Sequence, residues 1–147
     1  MRVFLDASVI LAACGRTTGA SRRIFDIHKH EGWALLASGY VMGEVRANIG
    51  ALGEQAVADW RRLASDLLLV RDQFVVDWPV VFAPAKDRPV LFTALAFADV
   101  LLTLDKRDFG PLMGAGFYGL EIMKPGDFLK RNQHRSFFKD GWGCASQ

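Results

Sequence analysis

Short apolar runs alternate with longer helical patterns along this chain, and no other feature limits its fold more. Branched and aromatic residues predict buried strands at residues 2–5, 34–37, 100–103 and 120–123. Apolar residues at helical spacing predict helices at residues 7–14, 20–30, 38–49, 54–69, 87–97 and 125–130. Alternating strands and helices form βαβ units. We therefore expect an α/β protein: a single three-layer α/β/α domain with a mainly parallel central sheet.

The chain has 147 residues, which is the length of one domain. Hydrophobic residues make up 51% of it, which is enough for a core and excludes wholesale disorder. The formal net charge of +2 excludes a polybasic nucleic-acid binder. Residues after Asn132 are polar, aromatic and basic without a period. We expect a folded domain over residues 1–131 and a flexible tail over residues 132–147.

The sequence also predicts a compartment. A charge at Asp6 interrupts the apolar core that a signal peptide would need. The longest apolar stretch, residues 90–104, contains Asp99 and is shorter than the ~20 residues of a membrane span. Cys14 and Cys144 are too few for a disulfide framework. We therefore expect a cytoplasmic protein with no membrane association.

Acidic residues stand at the ends of predicted strands and the start of a predicted helix. Asp6 follows the first strand, Asp105 follows the strand at residues 100–103, and Asp87 begins a helix. Ligands of parallel sheets bind outside the carboxyl ends of the strands, so we expect Asp6 and Asp105 in one crevice. Glu44 lies within a helix, and Asn48 shares its face four residues on.

Carboxylates that converge in a crevice favour a particular chemistry. Two of them ~4 Å apart repel by about 4 kcal/mol at an effective dielectric near 20, and a divalent cation removes that cost. Oxygen ligands without nearby cysteine or histidine favour Mg²⁺ or Mn²⁺ over zinc. Such ions activate water and stabilise in-line displacement at phosphorus. The acids therefore predict phosphodiester hydrolysis.

Four segments of the chain resemble a known family, the PIN domain. They are VFLDASV, GEVRANI, KDRPVLFTALAFADVLLTLDKRDF and IMKPGDFL, in family order, and the resemblance covers residues 2–130. It implies a parallel α/β/α sandwich and a Mg²⁺- or Mn²⁺-dependent endoribonuclease. It further implies the toxin of a type II toxin–antitoxin pair, as in the VapC group, with a homodimer and a small antitoxin protein as partner.

The resemblance also assigns roles to individual residues. It implies a catalytic metal site made of Asp6, Glu44, Asp87 and Asp105. Ser8 and Thr103 match small hydroxyl positions that hydrogen-bond the first and last acids or a metal-bound water. Asn48 matches a frequent but non-essential position, and Asp108 one that is acidic in some members only.

Lys106 and Arg107 are candidate RNA contacts because they follow Asp105 directly and cationic side chains neutralise backbone phosphates. Each site residue also has a structural interpretation that the sequence leaves open. Asp6 and Asp87 suit helix N-caps, and Asp108 suits a turn. The same is true of Asp105 as a turn residue, of Glu44 as a solvated helix position, and of Ser8 and Thr103 as structural hydroxyls.

Two other function classes remain. A phosphatase of the haloacid dehalogenase type also carries an aspartate after its first strand, but it needs a second acid two residues later, where this chain has Ser8. A non-catalytic PIN-fold module that binds RNA or protein would keep the same fold and acids, and the sequence does not separate it from a nuclease.

Overall fold

A computed structural model describes residues 1–75, 82 and 84–140 of the chain, the last seven of them by their backbone alone. The strands of this part are β1 Arg2–Leu5, β2 Ala34–Ser38, β3 Leu68–Val70, β4 Val100–Leu102 and β5 Glu121–Met123. Its α-helices are α1 Ala7–Gly15, α2 Ala20–Glu31, α3 Gly39–Asn48, α4 Glu54–Leu63, α5 Arg88–Phe97, α6 Lys106–Phe109 and α7 Pro125–Asp140. The sequence of residues 74–82 predicts one or two short extended pieces split by Pro79, but these residues fall largely outside the described part of the chain.

The strands form one sheet in the order β3-β2-β1-β4-β5, and every neighbouring pair is parallel. Helices flank this sheet, which confirms the predicted three-layer α/β/α class. The central strands β1 and β4 are apolar on both faces, as strands covered by helices on both sides must be. Phe4, Leu5, Leu101 and Leu102 are fully buried there.

The strand order reverses at the middle of the sheet. The chain moves outward from β1 through β2 to β3 and then returns to place β4 on the other side of β1. Such a reversal opens a crevice at the carboxyl ends of the two central strands, where ligands of open α/β sheets bind. Asp6 directly follows β1, and Thr103 directly follows β4.

The prediction of a helix at residues 54–69 is wrong for residues 64–69. Helix α4 ends at Leu63, a single 3₁₀ turn follows, and Leu68–Val70 form the edge strand β3. Leu68 pairs with Leu36 and Val70 with Ser38 of β2. Leucine suits helices and strands alike, so backbone pairing with β2 decides the structure of this segment.

The final helix is longer than predicted. The sequence predicts its end near Lys130, whereas α7 continues to Asp140. Residues 126–140 contain no proline and no glycine after Gly126, and Gly141 comes directly after the helix. Asn132 is buried and donates from Nδ2 to the Phe128 carbonyl at 2.8 Å. The flexibility of residues 132–147 stays a prediction.

A buried ion pair joins three helices on one side of the sheet. Arg22 of α2 donates from Nη1 to the Ala13 carbonyl of α1 at 2.9 Å and to Asp59 Oδ2 of α4 at 3.1 Å. Gln55 donates to Asp59 Oδ1 at 3.1 Å. The hydrogen bond from Arg22 holds the pKa of Asp59 below its usual range.

None of the helices in the described part of the chain combines the length and the apolar character that a membrane span requires.

Candidate metal centre

Asp6 is fixed between the ends of the two central strands. Its Oδ1 accepts a hydrogen bond from the Ala7 N–H at 2.8 Å, so Asp6 does cap α1. Its Oδ2 accepts from Thr103 Oγ1 at 2.7 Å and from Ser8 Oγ at 3.1 Å. Burial raises the pKa of Asp6, and these three hydrogen bonds oppose that rise. Asp6 therefore combines the structural role with a fixed position in the crevice.

The two hydroxyl groups also hold the chain that leaves β4. Ser8 Oγ accepts from the Leu104 N–H, and Thr103 Oγ1 accepts from the Asp105 N–H, each at 3.1 Å. Both hydroxyls bond the first acid, Asp6, as the family resemblance implies. Thr103 Oγ1 bonds the last acid, Asp105, only at the backbone N–H of Asp105. The network fixes the position of Asp105 relative to Asp6.

Asp105 begins the short helix α6. Its Oδ1 accepts from the Asp108 N–H at 3.0 Å, which is the bond expected of a turn or cap residue. That turn brings the Asp108 side chain back beside Asp105. The structural interpretation of Asp105 therefore holds, and the same turn builds part of the site.

Three carboxylates form a cluster at this point. Ligand atoms of Asp87, Asp105 and Asp108 all lie within 4.8 Å of one another. Asp87 is 93% buried, since its exposed fraction is 7%, and its Oδ2 has no hydrogen-bond partner among the described residues. A buried oxygen without a donor is costly. The three carboxylates are therefore close enough together to bind a metal ion, and the unpartnered Asp87 oxygen is free to be one of its ligands.

Protonation of the cluster follows from its burial. Burial and, after it, a hydrogen bond with the Asp108 carboxyl raise the pKa of Asp87 to about 7. The same hydrogen bond lowers the pKa of Asp108. Two carboxyl groups this close do not both ionise easily, so the pair keeps a proton to a higher pH than isolated aspartates do.

One lysine lies against the cluster. Lys86 Nζ is 3.6 Å from Asp108 Oδ2, and the charges of Asp87 and Asp108 raise the pKa of Lys86. Lys86 is exposed, so its ammonium only partly neutralises the acids.

Asp87 stands at the N-cap position of α5, but its side chain makes no capping bond there. The cap interpretation of Asp87 is therefore not borne out.

Glu44 lies next to Asp6, outside the three-acid cluster. Burial and the charge of Asp6 raise the pKa of Glu44, and a hydrogen bond with Tyr40 opposes the rise. The single proton of the Tyr40 hydroxyl is donated to the Lys86 carbonyl at 2.6 Å, directly beside Asp87. Sequence analysis missed Tyr40, although it precedes Glu44 by one helical turn and therefore shares its face.

Only some of the predicted site residues lie in the three-acid cluster. Of the four predicted acids, Asp87 and Asp105 lie in the cluster, and Asp6 interacts electrostatically with both. Asp108, predicted in a supporting position, is the third member. Asn48 is exposed and donates from Nδ2 to the Glu44 carbonyl at 2.8 Å, so its amide bonds the backbone of its own helix.

The two candidate RNA contacts diverge. Arg107 lines a cleft of about 470 Å³ together with Lys86, Asp105, Asp108 and Pro84. Lys106 does not line that cleft. The proximity of Lys124, which follows β5, lowers the pKa of Lys106. Arg107 and Lys106 of α6 therefore lie in different surroundings: Arg107 lines the cleft beside the acids, and Lys106 does not.

Comparisons with protein-family models, with curated proteins and with solved structures found no match to this chain.

Proposed function

We propose that this protein is a metal-dependent endoribonuclease that hydrolyses RNA phosphodiester bonds with Mg²⁺ or Mn²⁺. The observation that carries the proposal is the buried Asp87 oxygen without a hydrogen-bond donor, in a cluster with Asp105 and Asp108. Oxygen-only ligands at a crevice between parallel strands suit a hard divalent cation. The sequence resemblance to the PIN domain supports the same reaction.

Asp87, Asp105 and Asp108 are the residues that would hold the ion, with Asp6 and Glu44 adjacent. An ion bound there supplies an activated water and stabilises charge at phosphorus. Mg²⁺ and Mn²⁺ both suit carboxylate oxygens.

The remaining residues position the acids and the RNA. Thr103 and Ser8 hold Asp6, and Tyr40 joins helix α3 to the turn that carries Asp87. Lys86 and Arg107 line the cleft beside the acids, where cationic side chains attract a polynucleotide backbone. In this arrangement the acids bear the chemistry, and the cations at the rim bind and orient the substrate.

The toxin role, the antitoxin partner, the homodimer and the cytoplasmic location belong to the proposal as well, and the PIN resemblance supports them. A reading frame for a small protein beside the gene is the expected genetic setting. Co-expression of that small protein should suppress the RNA cleavage. A gene without such a neighbour would argue against the toxin role and leave the nuclease proposal intact.

The nuclease is tested on total RNA with Mg²⁺, with Mn²⁺ and with chelator. We compare the wild type with Asp6→Asn/Asp105→Asn and with Glu54→Gln, which removes an exposed acid of α4. Metal-dependent cleavage that only the double variant loses supports the proposal, provided that circular dichroism shows all three proteins folded. A double variant as active as the wild type contradicts it. RNA binding that persists in chelator without cleavage indicates a non-catalytic binding module.

A further inference from the structure

A cavity lies at the edge of the sheet, between the loop that precedes β5, the strand β5 itself and the first turns of α7. Its volume is about 380 Å³, within the range of pockets that hold small ligands. It is lined by three apolar and three charged side chains, which are Met113, Ile122, Met123, Glu121, Asp127 and Arg131. Apolar walls with a few polar groups are the usual form of a ligand site.

The apolar part of the lining suits a flat aromatic ring. Ile122 is buried, and Met113 and Met123 are half-buried. Methionine is adaptable in shape and makes favourable contacts with aromatic rings. The backbone of Gly114 and Gly116, whose φ angles of 81° and 73° favour glycine, completes the wall. The cavity therefore offers apolar contact to a nucleobase, which single-stranded RNA can turn out of its stack.

The charged part of the lining selects among the bases. Asp127 and Arg131 stand one helical turn apart on α7 and therefore share a face. Arg131 Nη1 forms an ion pair with Glu121 Oε2, which ties the guanidinium to β5. None of the ion pairs among the described residues includes Asp127. The cavity thus presents a carboxylate, which only accepts, beside a guanidinium, which only donates.

Of the four RNA bases, guanine matches this pair of groups best. Its Watson–Crick edge carries two adjacent donors, N1–H and the 2-amino group, which the two oxygens of one carboxylate can accept together. Its O6 and N7 atoms accept from arginine. Adenine, cytosine and uracil each lack two adjacent donors, so none of them bonds both carboxylate oxygens in this way.

The cavity lies one strand away from the candidate metal centre. Met123 is in register with Leu102, and its carbonyl accepts from the Thr103 N–H at 3.1 Å. Thr103 Oγ1 in turn bonds Asp6 and the Asp105 N–H. Paired strands lie about 4.8 Å apart. A base in the cavity therefore belongs to a nucleotide close to the phosphate at the acids.

We propose that this cavity binds a guanine base of the RNA, with Asp127 accepting from its Watson–Crick edge and Arg131 donating to O6 or N7. The inference rests on the proposed nuclease function for its choice of ligand. It deepens that function because it names the base beside the hydrolysed phosphate. Asp127 and Arg131 then determine specificity, and the acids of the metal centre bear the chemistry.

The test compares two single-stranded RNAs of about eight nucleotides, a length within the range of such sites. One RNA is all uridine, and the other carries a single guanine at its centre. Fluorescence anisotropy measures both affinities in chelator, so that no metal supports cleavage. The wild type should bind the guanine RNA about tenfold more tightly, which is the discrimination expected of one bidentate contact.

Two variants of the cavity should abolish this preference. Asp127→Asn replaces one of the two acceptors with a donor, and Ala115→Trp adds a bulky ring at the wall. Glu54→Gln is the control for the first, because Glu54 is likewise an exposed acid in the first turn of its helix. Ala51→Trp, at an exposed alanine of a 3₁₀ turn, is the control for the second. Both controls should keep the preference, and circular dichroism should show all five proteins folded.

Three results would overturn the assignment. The first is equal affinity of the wild type for the two RNAs, or no binding of either. The second is a guanine preference that Asp127→Asn retains in full. The third is a preference of the wild type for RNAs with a central adenine or cytosine over the guanine RNA.

The failure of this inference is distinguishable from the failure of the nuclease. An Asp127-dependent guanine preference in a protein whose wild type never cleaves RNA keeps the base site and removes the nuclease. Metal-dependent cleavage by a protein that binds both RNAs equally well keeps the nuclease and removes the base site.

Discussion

Two aspartates of this protein are buried to nearly the same degree but respond to burial in opposite ways. Asp59 is 6% exposed and Asp87 is 7% exposed. Arg22 and Gln55 donate to both oxygens of Asp59, and the pKa of Asp59 falls. Asp87 has an oxygen without a donor and an acid as its neighbour, and its pKa rises to about 7.

Burial alone therefore does not mark a functional acid. A buried carboxylate whose oxygens all receive hydrogen bonds is part of the framework. A buried carboxylate that lacks a donor and lies among other acids needs a cation or a proton. Substitutions at Arg22, Asp87 and Thr103 test this contrast.

Replacing Arg22 with methionine should have the largest effect. It removes the buried cation of Asp59 and leaves only the exposed Arg62, 3.7 Å from Asp59 Oδ1, so the free energy of unfolding should fall by about 3 kcal/mol. Urea denaturation measures the change. Arg23→Met is the matched control, because Arg23 is an exposed residue of the same helix. A loss no larger in Arg22→Met than in the control would contradict a structural role for the pair.

Asp87→Asn should act in the opposite direction on the metal-free protein. The folded-state pKa of Asp87 is raised above its ordinary 3.8, so protonation stabilises the fold fully below about pH 4. That contribution is lost as the pH rises through about 7. Asparagine keeps a donor towards Asp108 and carries no charge. The variant should therefore exceed the wild type by about 1–3 kcal/mol near pH 8.

Urea denaturation between about pH 4 and pH 8 in chelator checks this expectation, since the two curves should converge at the acidic end. Asp59 supplies the contrast. Its lowered pKa stabilises the fold above about pH 4, and that contribution is lost only as the pH falls further. A wild type as stable as Asp87→Asn near pH 8 would show that Asp87 carries no unfavourable charge.

Thr103→Val tests the network that holds Asp6. Valine cannot donate to Asp6 Oδ2 or accept from the Asp105 N–H, so we expect a loss of about 1–2 kcal/mol in stability and about tenfold in RNA cleavage. Thr93→Val is the matched control. Thr93 is equally buried and also makes two hydrogen bonds, but it lies within α5. Equal cleavage by both variants would remove Thr103 from the site.

Local sequence signals explain how much of the fold was predictable. β1, β2 and the start of α3 follow from apolar runs and from Ser38, whose hydroxyl accepts the capping bond from Val41 at 3.5 Å. β3 was missed because its pairing with β2 is a contact between distant parts of the sequence. No local pattern distinguishes such a strand from a helix.

The candidate site likewise contains residues that the sequence predicted and residues that it did not. Asp6 and Asp105 were predictable because strand ends of a parallel sheet meet at one edge. The Asp108 side chain joins them only through the turn of α6, and Tyr40 meets the Lys86 carbonyl only across a sequence separation of 46 residues. These contacts depend on the tertiary arrangement, so sequence spacing alone did not reveal them.

The most direct test of the central claim is calorimetric titration of Mn²⁺ at about pH 8, above the pKa of Asp87 of about 7. The wild type and Glu54→Gln should bind the ion with equal affinity, and Asp105→Asn/Asp108→Asn should lose that binding while remaining folded. If the wild type binds no Mn²⁺, or if the double variant binds it as tightly as the wild type, the three acids are not a metal centre.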